Sequence, residues 1–138
     1  MTQGWEAGVS ASVRVVLADD HPVVRDGLSA LLSSVQGIDV VGTAGTGREA
    51  LRAAVTLHPD VMVLDVQMPE LDGLDATRRI YERWPDEARP HIIAMTANAM
   101  LEDREACLEA GMNDYLAKPV RAEELATALS RVRPRAGA

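Results

Sequence analysis

Five side chains spread along this 138-residue chain have the types that phosphoryl chemistry uses: the pair Asp19-Asp20, a third carboxylate at Asp65, a hydroxyl at Thr96 and an amine at Lys118. Each follows a short apolar run: VRVVLA, VMVL, HIIAM and DYLA. If those runs are parallel strands, their C-terminal ends share one sheet edge, where open α/β folds bind ligands. Three carboxylates gathered there repel one another, and a hard dication relieves the repulsion. Mg²⁺ (or Mn²⁺) takes oxygen ligands in octahedral geometry and keeps room for phosphate oxygens. The candidate ligands are Asp20 and Asp65, with Asp19 acting mainly through water and the Gln67 backbone carbonyl within reach. Such an ion would stabilise charge on a phosphoryl group under in-line attack. Lys118 adds a positive charge and Thr96 a hydroxyl donor. Asp65 is then the candidate nucleophile, forming an aspartyl phosphate. Gln67 and Asn98 flank the site, where they would govern access of water to the phosphoryl group.

These residues need a sheet to position them. Val61 to Leu64 show no polar alternation, as expected of a strand buried on both faces, and Pro69 cannot continue it. Val13–Ala18 predicts a first strand, and Pro22 opens a helix beyond the acidic pair. Val24, Leu28, Leu31, Leu32 and Val35 recur at helical spacing until Gly37. Ile38–Thr43 is a less hydrophobic strand, expected near an edge. Thr46-Gly47-Arg48-Glu49 has the form of a capping box. The helix it starts turns Leu51, Ala54 and Val55 inward and breaks at His58-Pro59. Asp72 caps a third helix, with Leu74, Thr77, Ile80 and Tyr81 inward and Trp84-Pro85 at its end. His91–Met95 is the fourth strand. Asn98 to Ala110 forms helix with a thin apolar stripe of Leu101 and Leu108, then Met112, a poorly anchored candidate for motion. Gly111 stops it. Asn113–Ala117 is the fifth strand, and Leu125, Ala128, Leu129 and Val132 mark the last helix. Five strands alternating with five helices predict an α/β fold with a doubly wound parallel sheet.

The composition fits one soluble domain, with 47% hydrophobic and 25% charged residues and no Phe. A net charge of −7 argues against sequence-independent nucleic-acid binding, which needs clustered Lys and Arg. The lone Cys107 forms no internal disulfide and reads as an inert thiol in a reducing compartment. His21, His58 and His91 are scattered and read as surface or strand-edge residues. No signal peptide or membrane span is evident, so the expected location is cytoplasmic. Residues 1–12 read as a flexible leader, 13–133 as the domain and 134–138 as a tail or truncated linker.

With the motifs in place, the chain resembles the receiver domain of bacterial two-component response regulators over roughly Val13 to Arg133. The matching residues are Asp19-Asp20 after strand one, Asp65 in LDVQMPELDG, Thr96 in MTANA, and Lys118-Pro119 after DYLA. Tyr115 falls at the family's switch-aromatic position. Each motif alone is weak; four in order, each at a strand end, are specific. The resemblance implies a flavodoxin-like strand order of 2-1-3-4-5. It implies phosphorylation of Asp65 by the phosphohistidine of a histidine kinase or histidine phosphotransfer protein. It further implies that Thr96 and Tyr115 move together, changing the surface of the fourth helix, fifth strand and fifth helix, a face for partners or for a homodimer. A cis Lys118-Pro119 bond is another family expectation. ADDHPVVRDGL resembles receivers that carry a DNA-binding output, whereas MTANAMLEDREACLEAGMNDYLAKPV resembles those of hybrid kinases and phosphorelays. About twenty residues follow Lys118, so this chain is expected to carry no output domain, to bind no nucleic acid directly and to touch no membrane.

Other readings fit less well. An aspartate-nucleophile phosphohydrolase usually needs a second carboxylate two residues after the nucleophile, and Gln67 stands there, unable to act as acid or base. A nucleotide-binding fold needs a glycine-rich loop after the first strand, where this chain has Asp19-Asp20-His21-Pro22. A pure protein-binding module would have no use for the acidic residues and lysine.

Overall fold

The aliphatic runs pair into one parallel sheet whose inner strands β1, β3 and β4 are too apolar to lie on a surface. The computed structural model describes residues 12–68, 71–84, 89–97, 101–118 and 120–132. In chain order the elements are β1 (Val13–Ala18), α1 (Pro22–Ser33), β2 (Ile38–Ala44), α2 (Gly47–Leu57), β3 (Val61–Asp65), α3 (Gly73–Arg83), β4 (His91–Thr96), α4 (Leu101–Ala110), β5 (Asp114–Ala117) and α5 (Ala122–Leu129). The strand order is β2-β1-β3-β4-β5, all pairs parallel, with the weakly hydrophobic β2 at one edge. This is the flavodoxin-like order.

Successive strand residues point to opposite faces. On one face Val15, Leu17, Val63 and Ile93 pack with Leu28 and Leu32 of α1 and with Leu125 and Leu129 of α5. On the other, Val16, Met62, Leu64 and Ile92 meet Ala50 and Ala54 of α2, Ala76 and Ile80 of α3, and Cys107 of α4. All five residues of β3 are buried. Each such aliphatic side chain contributes about 1.5–3 kcal/mol on burial, so the strand ends that carry the polar residues are held firmly.

Caps fix the helix starts beside that edge. Pro22 occupies the first turn of α1. Thr46 Oγ1 accepts from Glu49 N–H (3.1 Å), and Glu49 Oε1 accepts from Gly45 N–H (2.7 Å). Asp72 Oδ1 accepts from Asp75 N–H (2.8 Å) at the start of α3. His58, at φ 48° in the left-handed region, ends α2 ahead of Pro59.

Several expectations are corrected. Val24 and Leu31 are 40% and 49% exposed, because the inward stripe of α1 narrows to Leu28 and Leu32, one turn apart. Val55 and Leu108 are also exposed. On α2 Ala54 is buried as expected and Leu51 packs against the core, while fully buried Ala50 takes the inward place expected of Val55. Strand β5 begins at Asp114, since Asn113 N–H and Oδ1 bond the backbone of Ile92 and end the preceding turn. Asp65 and Thr96 are the last residues of β3 and β4, one step inside the sheet. The expectations for Pro69, Pro85, Asn98 and the Lys118-Pro119 bond, and for most of both termini, lie outside the described residues.

Candidate functional site

At the C-terminal edge of the sheet the two central strands end in acid. Asp19 follows β1 with its side chain fully buried, and Asp65 closes β3 with 4% exposure. Backbone bonds set their places: Asp19 N–H donates to Ala44 O (3.0 Å), and Val66 N–H donates to Met95 O (2.9 Å). Lys118, just past β5, is held by its own N–H to Thr96 O (2.8 Å). Its ammonium donates to Asp65 Oδ2 (2.8 Å) and stands 2.9 Å from Asp19 Oδ2, the latter an ion pair without hydrogen-bond alignment. One lysine thus serves two carboxylates from two strands.

Asp20, partly exposed, completes the cluster. Ligand atoms of Asp19, Asp20, His21 and Asp65 all lie within 4.8 Å of one another. His21 Nδ1 is 3.2 Å from Asp19 Oδ1 and 3.0 Å from Asp20 Oδ1. Among the described residues, Asp19 Oδ2 and Asp20 Oδ1 are buried oxygens without an aligned hydrogen bond. Asp20, Val66, Gln67 and Asp72 line a groove at this cluster. Hard oxygen donors, two of them not aligned with any hydrogen-bond donor, suit a hard dication, so the residues present fit Mg²⁺ or Mn²⁺.

Burial pushes the Asp65 carboxyl above the usual carboxylate range. Lys118 and the Gln67 N–H (3.1 Å to Oδ1) oppose that rise, and the charge of Asp19 reinforces it. Burial also acts on Asp19, but the His21 N–H (2.8 Å) and Lys118 outweigh it and hold the group below its ordinary value. Lys118 is pushed up: burial works against its charge, and the two carboxylates overcome that. The site thus sets three carboxyl groups against one ammonium.

Thr96 is 6% exposed at the tip of β4, in register with Ala117 of β5. Tyr115 pairs with Ala94, two positions deeper, and packs partly buried on the face of α2, α3 and α4. The structure thus gathers Asp19, Asp20, Asp65 and Lys118 directly and sets Thr96 on the adjacent strand tip. Tyr115 lies back from the edge. Asn98 is outside the described residues.

Two contributors escaped the sequence reading. His21, read as a surface or strand-edge residue, is exposed at the edge of the sheet, and its ring also faces both members of the acidic pair, a contact for which its adjacency to them was the available signal. Arg25 on α1 reaches back to donate to Asp19 O (3.0 Å), a link that helical spacing alone does not reveal. Beside the site, an apolar groove runs from His21 and Lys118 along α1, lined by Val24, Leu28, Leu31 and Val120.

Comparison with known proteins agrees with this geometry. The family model for the response regulator receiver domain matches residues 15–130. The transcriptional regulatory protein LiaR of Bacillus subtilis is 40% identical over 117 residues, 85% of this chain and 54% of that protein. The chain spans about half the length of the curated relatives it matches. The signal receiver domain of the response regulator NarL from Mycobacterium tuberculosis superposes with a TM-score of 0.81 at 30% identity, covering 87% of this chain and 94% of that one. The receiver domain of a sensor histidine kinase from Pseudomonas aeruginosa, solved with magnesium coordinated in its active-site cleft, is 42% identical with a TM-score of 0.76, covering 88% and 97%. Acidic strand tips joined by a lysine, a parallel sheet in the order 2-1-3-4-5 and a family match across most of the sequence lead to one assignment: this chain belongs to the response regulator receiver domains of two-component signalling systems.

Proposed function

We propose that the domain is a phosphorylation-activated switch whose phosphoacceptor is Asp65. The observation that carries this reading is the Lys118 ammonium between Asp65 and Asp19, at 2.8 and 2.9 Å. An Asp65 oxygen attacks phosphorus; the O–P bond of an acyl phosphate forms as the N–P bond of the donor phosphohistidine breaks, and the electron pair returns to the imidazole. Lys118 and the Gln67 N–H oppose the burial that raises the pKa of the attacking carboxyl. Asp19, Asp20, Asp65 and the Gln67 carbonyl would hold Mg²⁺ (or Mn²⁺), which when bound supplies charge stabilisation to the phosphoryl oxygens.

Once formed, the acyl phosphate on Asp65 competes with Asp19 for Lys118. Thr96, one strand over, donates its hydroxyl to the new oxygens, and Tyr115 follows it inward. The response is read on α4, β5 and α5, where partners or a second copy bind. Gln67 and Asn98 set the access of water and hence the lifetime of the phosphoryl group. Self-phosphorylation and self-dephosphorylation are the only chemistry assigned to the chain.

The donor is a histidine kinase or histidine phosphotransfer protein, approaching along the apolar α1 groove that leads to Lys118. LiaR is named a transcriptional regulator, but DNA contact belongs to a separate output domain in this reading, and the receiver itself binds neither nucleic acid nor membrane. Among the described residues no helix is long and apolar enough to cross a membrane, which accords with a cytoplasmic location. The test is intact-mass spectrometry after incubation with acetyl phosphate and Mg²⁺. One phosphate should be added, should depend on the metal, and should disappear in Asp65→Asn; an unchanged adduct in that variant would remove Asp65 from the mechanism.

A further inference from the structure

The turn between β2 and α2 carries none of the proposed ligands, yet it touches both segments that do. On one side Ala44 O accepts from Asp19 N–H (3.0 Å). The Arg25 guanidinium that holds Asp19 O also lies against Gly45, where a Cβ would sit 2.8 Å from Nη1. On the other side Gly47 is buried against the β3–α3 loop. A Cβ there would fall 1.7 Å from Leu71 O and 2.7 Å from Leu71 Cβ.

The described residues of that loop are closely held. Its ends are closed by Gly73 N–H on Val66 O (3.0 Å), and Gly73 packs so closely that a Cβ would lie 2.5 Å from Asp65 O. Met68 is buried in the core, and Gln67 N–H is bonded to Asp65 Oδ1. The α2 terminus is equally fixed by Thr46 Oγ1 on Glu49 N–H and by Glu49 Oε1 on Gly45 N–H. Because the group facing Gly47 is a backbone carbonyl, no rotamer change relieves an added methyl. The helix cannot retreat without losing its cap, so the loop must move.

We infer that the Ala44–Gly47 turn is the spacer that sets the separation of the two acid-bearing segments, with Gly47 a positioning residue that acts through Leu71 on Asp65 and the Gln67 carbonyl. The absence of a side chain at Gly47 lets Leu71, and with it Gly73 against Asp65 O, sit at the register that the Asp19–Asp20 segment requires. This inference rests on the metal site proposed above.

The test is calorimetric Mg²⁺ titration of the whole chain, paired with urea unfolding. Gly47→Ala should weaken Mg²⁺ binding roughly 10-fold or more, the range typical of residues that orient metal ligands. Gly42→Ala is the matched control: its Cβ would meet the end of the Leu57 side chain (2.6 Å), away from the acidic cluster. It should bind Mg²⁺ as the parent does, whatever its stability. Leu71→Gly, which loosens the loop from the opposite side, should also weaken binding and keeps the idea testable should Gly47→Ala not fold. Parent-like Mg²⁺ affinity in a folded Gly47→Ala, or in Leu71→Gly, overturns the inference while leaving the phosphoacceptor reading intact. Failure of the parent protein to bind Mg²⁺ would overturn the metal site itself.

Discussion

Lys118→Met tests whether the carboxylates are held together by one shared cation. The substitution keeps most of the aliphatic stem and deletes the ammonium that stands 2.8 Å from Asp65 and 2.9 Å from Asp19. Removing one partner of a buried ion pair costs about 3–5 kcal/mol, and the 18% exposure of Lys118 places this case toward the low end. A second bound comes from the acids, because a carboxyl stripped of its cation can take up a proton instead. Each pH unit between solution and its ordinary pKa of 3.8 costs about 1.4 kcal/mol, so the loss at about pH 7 is capped near about 4 kcal/mol. At about pH 5 the same cap falls to about 2 kcal/mol. Urea unfolding at both pH values should therefore show a penalty of about 3–4 kcal/mol at neutrality that falls to about 2 kcal/mol or less on acidification. Saturating Mg²⁺ should recover part of it, since the ion then neutralises the same oxygens. In the parent, the raised Lys118 pKa adds stability that is present below 10.5 and is lost as alkaline pH passes its folded value. A penalty equal at both pH values, with no recovery in Mg²⁺, would refute the shared-cation account.

Asp20→Asn should reduce Mg²⁺ affinity more than Asp19→Asn, as measured by calorimetry, because Asp19 is already engaged by the His21 N–H and Lys118. Asp72→Ala should lower the urea-derived stability by about 1 kcal/mol through loss of the α3 cap. Burial holds His91 below its usual 6.5, so the unfolded chain protonates first and stability should fall as pH drops from 6.5 to the folded value. His91→Gln should flatten that part of the pH–stability curve. Amide exchange should be faster in α4 than in α3, since among described side chains α4 buries only Cys107 and Ala110.

The acidic tips were legible in the sequence because a continuous aliphatic run declares both a buried strand and the point where burial stops. VMVL followed by Asp65 gives a direction, a depth and a charge in five residues. The caps at Thr46 and Asp72 were legible for the same reason, being local hydrogen-bond chemistry. Contacts made by helices across the sheet edge were not. Periodicity alone marks Val24 and Leu31 as core, whereas α1 reaches the sheet only through Leu28 and Leu32 and leaves the others to line a groove. Arg25 and Gly47 act on the site through backbone atoms of distant segments, and a backbone partner leaves no mark in residue types. His21 shows the converse: its role lay beside the acidic pair, but a single imidazole has too many ordinary explanations to be singled out.

One consequence follows from how α4 is seated. Over residues 105–110 of α4 the buried side chains are a thiol and an alanine, which interlock less than the Leu28–Leu32 ridge of α1, so this part of the helix gives up less contact on sliding than α1 would. Packing is deepest around the strand tips where atoms must meet to within tenths of an ångström, and lighter over the described last turns of α4. In the proposed switch, a small event at a strand tip would be cheaper to express along that stretch of α4 than as strain spread through the whole.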